Sequence, residues 1–291
     1  MNDMPEMNVI PEAAGLARFP LARRGMMMTS LMTGFTLATT RVDAQAISTD
    51  TAGIEAGEFK LPVADGTLPA YFARPAGAGP FPTVLVIEEV YGVQEYIKDV
   101  CRRLAKLGYL AVATELYARN GDLSKAANFE QILPIIAAAP TATNFTDLDS
   151  SAVWAAANKG SADRLAVTGF CRGGRITWLY ASHNPKLKAA VAWYGPFDGP
   201  KTAIQPMGPL DIADQLQCPL LGLYGGKDTV IKIEDVERAA AKAKAAGKTV
   251  EIVVYPNSPH AFHADYRPSY VAADAADGWS KMQAWFKKYG V

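Results

Sequence analysis

The 291-residue chain has only three cysteines and three histidines, and its charges cancel, with Lys+Arg and Asp+Glu at 29 each. Each shortage excludes something. Cys101, Cys171 and Cys218 lie far apart, show no C-x-x-C spacing and cannot all pair, which argues against a disulfide framework and against a zinc cluster. Zero net charge leaves no overall field to draw the chain to nucleic acid or to an anionic membrane, so a small, neutral or locally steered ligand is the better expectation. Long apolar runs are missing too. The one near the amino terminus is broken by Gly34 and several threonines, and it falls short of the roughly twenty residues that span a bilayer. No stable membrane span is expected.

What is present suits one enzyme-sized domain: 49% of the residues are hydrophobic, enough for one substantial core and too short a chain for two such domains. The first stretch differs from the rest. Arg23-Arg24 precede Gly25-Met26-Met27-Met28, a weakly apolar run reaches Thr40, and Asp43-Ala44-Gln45-Ala46 offers an A-x-A cleavage site. That is the layout of a twin-arginine export signal. Residues 1–46 are therefore read as a cleaved signal, 47–57 as a flexible leader and 58–291 as the catalytic domain, with a periplasmic or secreted protein as the expectation. An ordinary tail with a chance Arg-Arg pair is the alternative, and it would leave the chain cytoplasmic.

From Glu58 onward, short β-rich apolar runs alternate with helical patterns, which predicts a doubly wound, mostly parallel sheet flanked by helices. The expected strands cover 70–74, 83–88, 110–114, 164–169, 189–194, 220–225 and 250–255. Several are unbroken apolar runs, as strands covered on both faces require. Helical spacing covers 95–107, 124–137, 148–158, 172–182, 233–246 and 270–288. In such sheets ligands bind beyond the carboxyl ends of the strands.

One such strand runs into Gly169-Phe170-Cys171-Arg172-Gly173-Gly174, the G-x-S-x-G nucleophile elbow with cysteine in place of serine, and an amphipathic helix follows. A strand-to-helix turn this sharp leaves no room for flanking side chains and presents the nucleophile at a helix amino terminus. There the helix dipole and free N–H groups favour a thiolate. Partners are needed later in the chain, acid before histidine. Asp228, in Tyr224-Gly225-Gly226-Lys227-Asp228, and His260, in Asn257-Ser258-Pro259-His260, each follow a strand in that order. His183 lies near the far end of the helix after the elbow; His263 is a runner-up to His260. Cys101 and Cys218 read as small buried hydrophobes.

Together with Glu88-Glu89-Val90-Tyr91-Gly92, Glu115-Leu116-Tyr117-Ala118-Arg119, Tyr194-Gly195 and Pro259-His260-Ala261-Phe262, these motifs resemble the dienelactone hydrolase family from Glu58 to the end. The resemblance implies an α/β-hydrolase fold and hydrolysis of a small ester or lactone through a Cys171–His260–Asp228 triad, with no metal and no organic cofactor. It implies that Glu89 is the active-site glutamate that contacts the resting nucleophile and helps generate the thiolate. Backbone N–H groups of Arg172 and Val90 would hold the oxyanion. A monomer with a small-molecule substrate is expected.

The sequence departs from the family where a substrate carboxylate would bind. Family members that open dienelactone use two arginines, one in the helical stretch after the Tyr-Ala-Arg marker and one four residues past the histidine. Here no Lys or Arg lies between Lys125 and Lys159, and the latter position is Ala264. Arg119, Arg172, Arg175 and Arg267 are candidate replacement cations, and Tyr91 and His263 further candidate substrate contacts. Two other readings stay open: a thiol redox protein, since a cysteine at a helix start suits that chemistry, and a non-catalytic binding module on the same fold.

Overall fold

A computed structural model describes residues 46–291, so the export signal read at 1–46 lies outside the described residues except for Ala46. The strands are β1 (Ile54–Val63), β2 (Gly66–Pro75), β3 (Phe81–Ile87), β4 (Leu110–Thr114), β5 (Gly160–Phe170), β6 (Leu187–Trp193), β7 (Leu220–Gly225) and β8 (Val250–Tyr255). They form one eight-stranded sheet in the order β1-β2-β4-β3-β5-β6-β7-β8. The β1–β2 hairpin is antiparallel and β2 runs antiparallel to β4, while every pair from β4 to β8 is parallel. The helices are α1 (Glu95–Lys106), α2 (Phe129–Ala137), α3 (Thr141–Ala157), α4 (Arg172–His183), the single turn α5 (Pro209–Ile212), α6 (Ile233–Ala245) and α7 (Ala272–Lys288).

The buried strands show why their sequences look as they do. All five residues of β4 are buried, as are the last five of β3 and the last six of β5, because α1 packs on β2 and β4 while α3 and α4 pack on β5. A strand covered on both faces cannot alternate polar and apolar residues. β1 is the strand that the apolar pattern does not predict. Only Leu61 of its ten residues is buried, so it lies at the sheet edge with little hydrophobic signature, and Pro62 is tolerated there. α3 begins seven residues earlier than its apolar spacing predicts, at Thr141, because its first turns are polar and threonine-rich. The helix expected at 124–137 is divided: a 3₁₀ turn at Leu123–Lys125 precedes α2, whose N-cap Asn128 accepts the Gln131 N–H through Oδ1 at 3.0 Å.

The stretch 47–57 departs from its reading as a flexible leader. Residues 54–57 open β1, and Thr49 is fastened to α1: its N–H donates to Asp99 Oδ1 at 2.6 Å and its carbonyl accepts from Arg102 Nε at 3.0 Å. Lys106 reaches Asp50 Oδ1 and the Ala52 carbonyl, each at 2.6 Å. Asp99 is the hub, with its side chain 2% exposed and bonds from both Arg102 and Arg103. Asp99→Ala leaves two arginines without that partner and should lower stability by roughly 3 kcal/mol in urea unfolding. Thr49→Ala keeps the backbone bond and should cost less than about 1 kcal/mol. Equal losses in the two variants would contradict the hub assignment.

Candidate active site

The site begins with a backbone distortion. Cys171, between β5 and α4, has φ 53° and ψ −117°, a conformation that costs a non-glycine residue of order 1–3 kcal/mol. It persists because the surroundings over-determine it. The Cys171 N–H donates to the Trp193 carbonyl at 3.1 Å. A Cβ on Gly169 would stand 2.4 Å from the Gly173 carbonyl, one on Gly173 the same distance from the Ile87 carbonyl, and one on Gly174 the same from the Trp193 carbonyl. Glycine at these positions lets the ends of β3, β5 and β6 press together around the turn. Of the four non-glycine residues with positive φ among the described residues, three are Cys171, Tyr194 and Ala261, each at or beside this point.

The partners arrive from the next strand ends. His260 Nε2 lies 3.3 Å from Cys171 Sγ, and His260 Nδ1 lies 2.7 Å from Asp228 Oδ2. The other carboxylate oxygen of Asp228 accepts the N–H groups of Val230 and Ile231 at 2.7 and 3.1 Å. The loops carrying Asp228 and His260 are bound to each other, Lys227 N donating to the Ser258 carbonyl at 3.0 Å and Gly226 N to the Tyr255 carbonyl at 2.7 Å. A Cβ on Gly225 would stand 2.4 Å from the Ser258 carbonyl, which is why a glycine ends β7. Burial pulls the His260 pKa down, yet the Asp228 carboxylate and the Cys171 sulfur outweigh it and raise it to about 10.

A buried polar cluster stands beside this line. Glu89 Oε2 accepts from the Tyr266 hydroxyl at 2.6 Å, from Gln94 Nε2 at 3.3 Å and from Arg267 NH2 at 3.4 Å. Both side chains of the Glu89–Arg267 pair are 0% exposed, and the guanidinium lies 5.0 Å from the ring centroids of Tyr91 and of Tyr266. Burial opposes the Arg267 charge, but Glu89, Tyr266 and the Cys171 sulfur more than offset it and hold the group protonated. Glu89 thus bonds to Tyr266, Gln94 and Arg267 and not to the sulfur, whose hydrogen-bond partner is His260, in contrast to the glutamate–nucleophile contact that the resemblance implies. Val90 and Tyr91 follow on the same turn, closed by a backbone bridge between Glu89 and Gly92.

Three candidate substrate contacts are committed elsewhere. Arg119 binds Asp147 through NH1 and NH2 at 2.5 and 2.9 Å and Asp65 through Nε at 2.7 Å. Arg175 is 5% exposed and donates to the carbonyls of Pro196, Phe197 and Met207 at 3.1, 2.8 and 3.2 Å, so it holds the loop after β6. His263 stacks on Phe170 and Trp279, and its Nδ1 is 2.7 Å from the Tyr96 hydroxyl. Burial and the nearby Arg103 push its pKa down to about 3. Arg172 stays at the elbow, with NH2 3.0 Å from Gln205 Oε1 and Nε 3.4 Å from the Tyr117 hydroxyl. Gln94, Tyr117, Tyr194 and Tyr266 were not singled out from the sequence. Tyr117 and Tyr194 lie within motifs quoted above, whereas nothing local marks Gln94.

Cys101 and Cys218 are free and buried, and burial raises the Cys218 thiol to about 12. His183 pairs with Asp149 at 2.9 Å. Among the described residues, no group of three or more His, Cys, Asp and Glu could hold a metal ion, and no helix is long and apolar enough to cross a membrane.

An eight-stranded sheet in this order, with a cysteine elbow after β5, defines an α/β-hydrolase. Residues 68–290 match the dienelactone hydrolase family, and the chain belongs to that family. It is 54% identical over 278 residues to a Methylorubrum extorquens protein named "Putative carboxymethylenebutenolidase", covering 94% of this chain and 96% of that one. A protein of the same name from Escherichia coli is 49% identical over 266 residues, 91% of this chain and 98% of that one. A solved structure from Klebsiella pneumoniae, described as a "Putative Dienelactone Hydrolase", is similar at TM-score 0.79 and 52% identity, covering 81% of this chain and 99% of that chain.

The two buried histidines should titrate in opposite directions. With its pKa raised to about 10, His260 stays protonated at neutral pH. Its contribution to stability is complete below the unfolded value of about 6.5 and is lost as pH climbs through the folded value. His263, lowered to about 3, stays neutral. Imidazole nitrogen NMR should show one charged and one neutral buried ring at pH near 7, and Asp228→Asn should move His260 downward, because burial then loses its main opponent. Two rings both titrating near the ordinary value would contradict this geometry.

Proposed function

We propose that the chain hydrolyses small esters or lactones with Cys171 as nucleophile, His260 as general base and acid, and Asp228 as the residue that orients the imidazole. The observation that carries this reading is the unbroken line from Asp228 Oδ2 through His260 to Cys171 Sγ, at 2.7 and 3.3 Å, ending at a strained elbow. With His260 already carrying the proton, the Cys171 sulfur beside it attacks the ester carbonyl carbon. The oxyanion accepts hydrogen bonds from the backbone N–H groups of Arg172 and Val90. The tetrahedral intermediate collapses to a thioester and expels the alcohol, which takes the proton from His260. Water, deprotonated by His260, then attacks the thioester and returns the thiol.

Glu89 offers a second acceptor beside this line: its Oε1 is buried with no hydrogen-bond partner, open to the sulfur's proton when His260 already carries one. The name carried by the relatives implies a lactone that bears a carboxylate. Arg267 supports that substrate class here, being a buried cation beside Glu89 whose charge interacts with the Cys171 sulfur. The redox reading is weaker, because Cys101 and Cys218 are buried with raised pKa values and neither offers a resolving thiolate. The line of three side chains argues against a non-catalytic module.

The full chain should hydrolyse a p-nitrophenyl ester, and Cys171→Ala should reduce the rate on the order of a thousandfold or more. Activity that survives this substitution would sink the assignment. A panel of lactones with and without a carboxylate tests the cation. Arg267→Met should raise KM about tenfold for the carboxylated members, equivalent to roughly 1.4 kcal/mol, and affect the uncharged members far less. Uniform changes across the panel would remove Arg267 from substrate binding.

A further inference from the structure

Two carboxyl groups meet at the ends of neighbouring parallel strands, and the mechanism above uses neither. Glu88 follows β3 and Glu115 follows β4. Glu88 Oε1 accepts the Leu116 N–H at 2.9 Å, and Glu115 Oε1 accepts the Val93 N–H at 2.8 Å. Each carboxyl therefore grasps the loop that follows the other strand. Glu115 Oε2 stands 2.7 Å from where a Cβ on Gly92 would lie, and Gly92 has φ +78°, so the loop crosses the carboxyl with no space for a side chain. Glu88 is 0% exposed, its Oε2 is buried without a hydrogen-bond partner, and the Glu115 carboxyl faces it across the crossed loops. Two carboxylates in contact inside a protein do not both ionise; one keeps a proton that bonds to the other.

We propose that Glu88 and Glu115 are positioning residues that share one proton, closing a clasp that sets the Glu89–Val93 loop, and with it the Val90 N–H, against the elbow. The link to the elbow is direct, since Gly173 packs on the backbone carbonyls of Ile87 and Glu88. The catalytic consequence rests on the function proposed above, in which Val90 is an oxyanion donor. The shared proton itself does not.

The surroundings favour the protonated pair. Burial first, then Glu115, pushes the Glu88 carboxyl well above the usual range, against the opposing N–H groups of Leu116 and Tyr117. Burial also raises Glu115, with Asp122 adding to it, against the Val93 N–H, Glu88 and Lys98 of α1. Lys98 is itself engaged by Glu58 of β1 and lies over the Tyr71 ring. Tyr117, with Arg172 beside it, faces Glu88 from the β4 loop. A cleft of about 370 Å³, lined by Glu58, Lys60, Tyr71, Val93 and Lys98, reaches Glu115 and gives its proton a way to solvent. For carboxyls raised in the folded state, the clasp is intact below the unfolded value of about 4.3 and is lost as pH rises through the folded value. Above that, two charges push the loops apart.

The test compares the full chain with Glu88→Gln and Glu115→Ala. Gln at 88 keeps an N–H that can donate to Glu115 but cannot titrate. With an uncharged ester, the wild type should lose kcat at near-constant KM as pH rises but before His260 titrates at about 10, and Glu88→Gln should lack that loss. Glu115→Ala should lower kcat at every pH by about ten- to a hundredfold, a fraction of the effect of removing an oxyanion donor, with KM within about twofold. Independently of activity, the infrared carbonyl stretch of a protonated carboxylic acid at neutral pH should be present in the wild type and missing in Glu88→Gln. Val93 amide-exchange protection should fall with pH in the wild type alone. A loss of kcat below the His260 titration at about pH 10 that persists in Glu88→Gln, or an infrared difference of zero, overturns the proposal. Should the wild type hydrolyse no ester or lactone, the function proposed above fails while the infrared and exchange measurements still decide the clasp.

Discussion

Everything at this site depends on one backbone turn. β5 must end and α4 begin within a single residue, and that residue must point its side chain out of the sheet top. Cys171 does so at φ 53°, and the strain is sustained only because carbonyls from the first turn of α4, from β3 and from β6 occupy the space that side chains at 169, 173 and 174 would need. Close packing of backbone on backbone is thus what fixes the sulfur. Relaxing any of the three contacts would let the turn widen and would move the sulfur relative to an imidazole 3.3 Å away.

The second constraint is electrostatic. The site is dry enough that each charged group must be matched, and the matches differ. His260 keeps its proton because a carboxylate and a sulfur face it, whereas His263, three residues on, meets aromatic rings and an arginine and stays neutral. The same rule separates the two adjacent glutamates. Glu89 pairs with the buried Arg267, while Glu88 meets another carboxyl and must hold a proton. Residues next to each other in sequence point to opposite sides at a strand end, so their chemistry is set by what lies on each side.

This explains what could be read in advance. Strands such as β4 and β7 announced themselves through unbroken apolar runs, because burial on both faces forbids polar alternation. The elbow was legible because only glycine tolerates its contacts, and the acid and histidine followed from the order in which strands reach the same edge of the sheet. β1 was not legible: nine of its ten residues are at least partly exposed, which leaves no pattern to detect. Nor was the fate of the arginines. Arg119 and Arg175 sit in promising motifs, yet one is held by Asp65 and Asp147 and the other by loop carbonyls, partners distant in sequence and without any local signal.

Arg267 makes the opposite case. Counting four residues past His260 finds Ala264 and suggests that a cation is missing. The chain between them is not a helix or strand with a fixed repeat. It is a series of turns that begins at Ala261 with φ 60° and closes through Ala264 N to the Ala261 carbonyl and Arg267 N to the Ala264 carbonyl, each at 3.0 Å. Two successive turns of three residues carry position 267 back beside Glu89, where its guanidinium meets the carboxylate between two tyrosine rings. A charge requirement in a buried site is a requirement on a volume of space, and a loop can meet it from more than one sequence position. An offset taken from a family pattern therefore tests for the residue only where the backbone between is regular, and in this loop it is not.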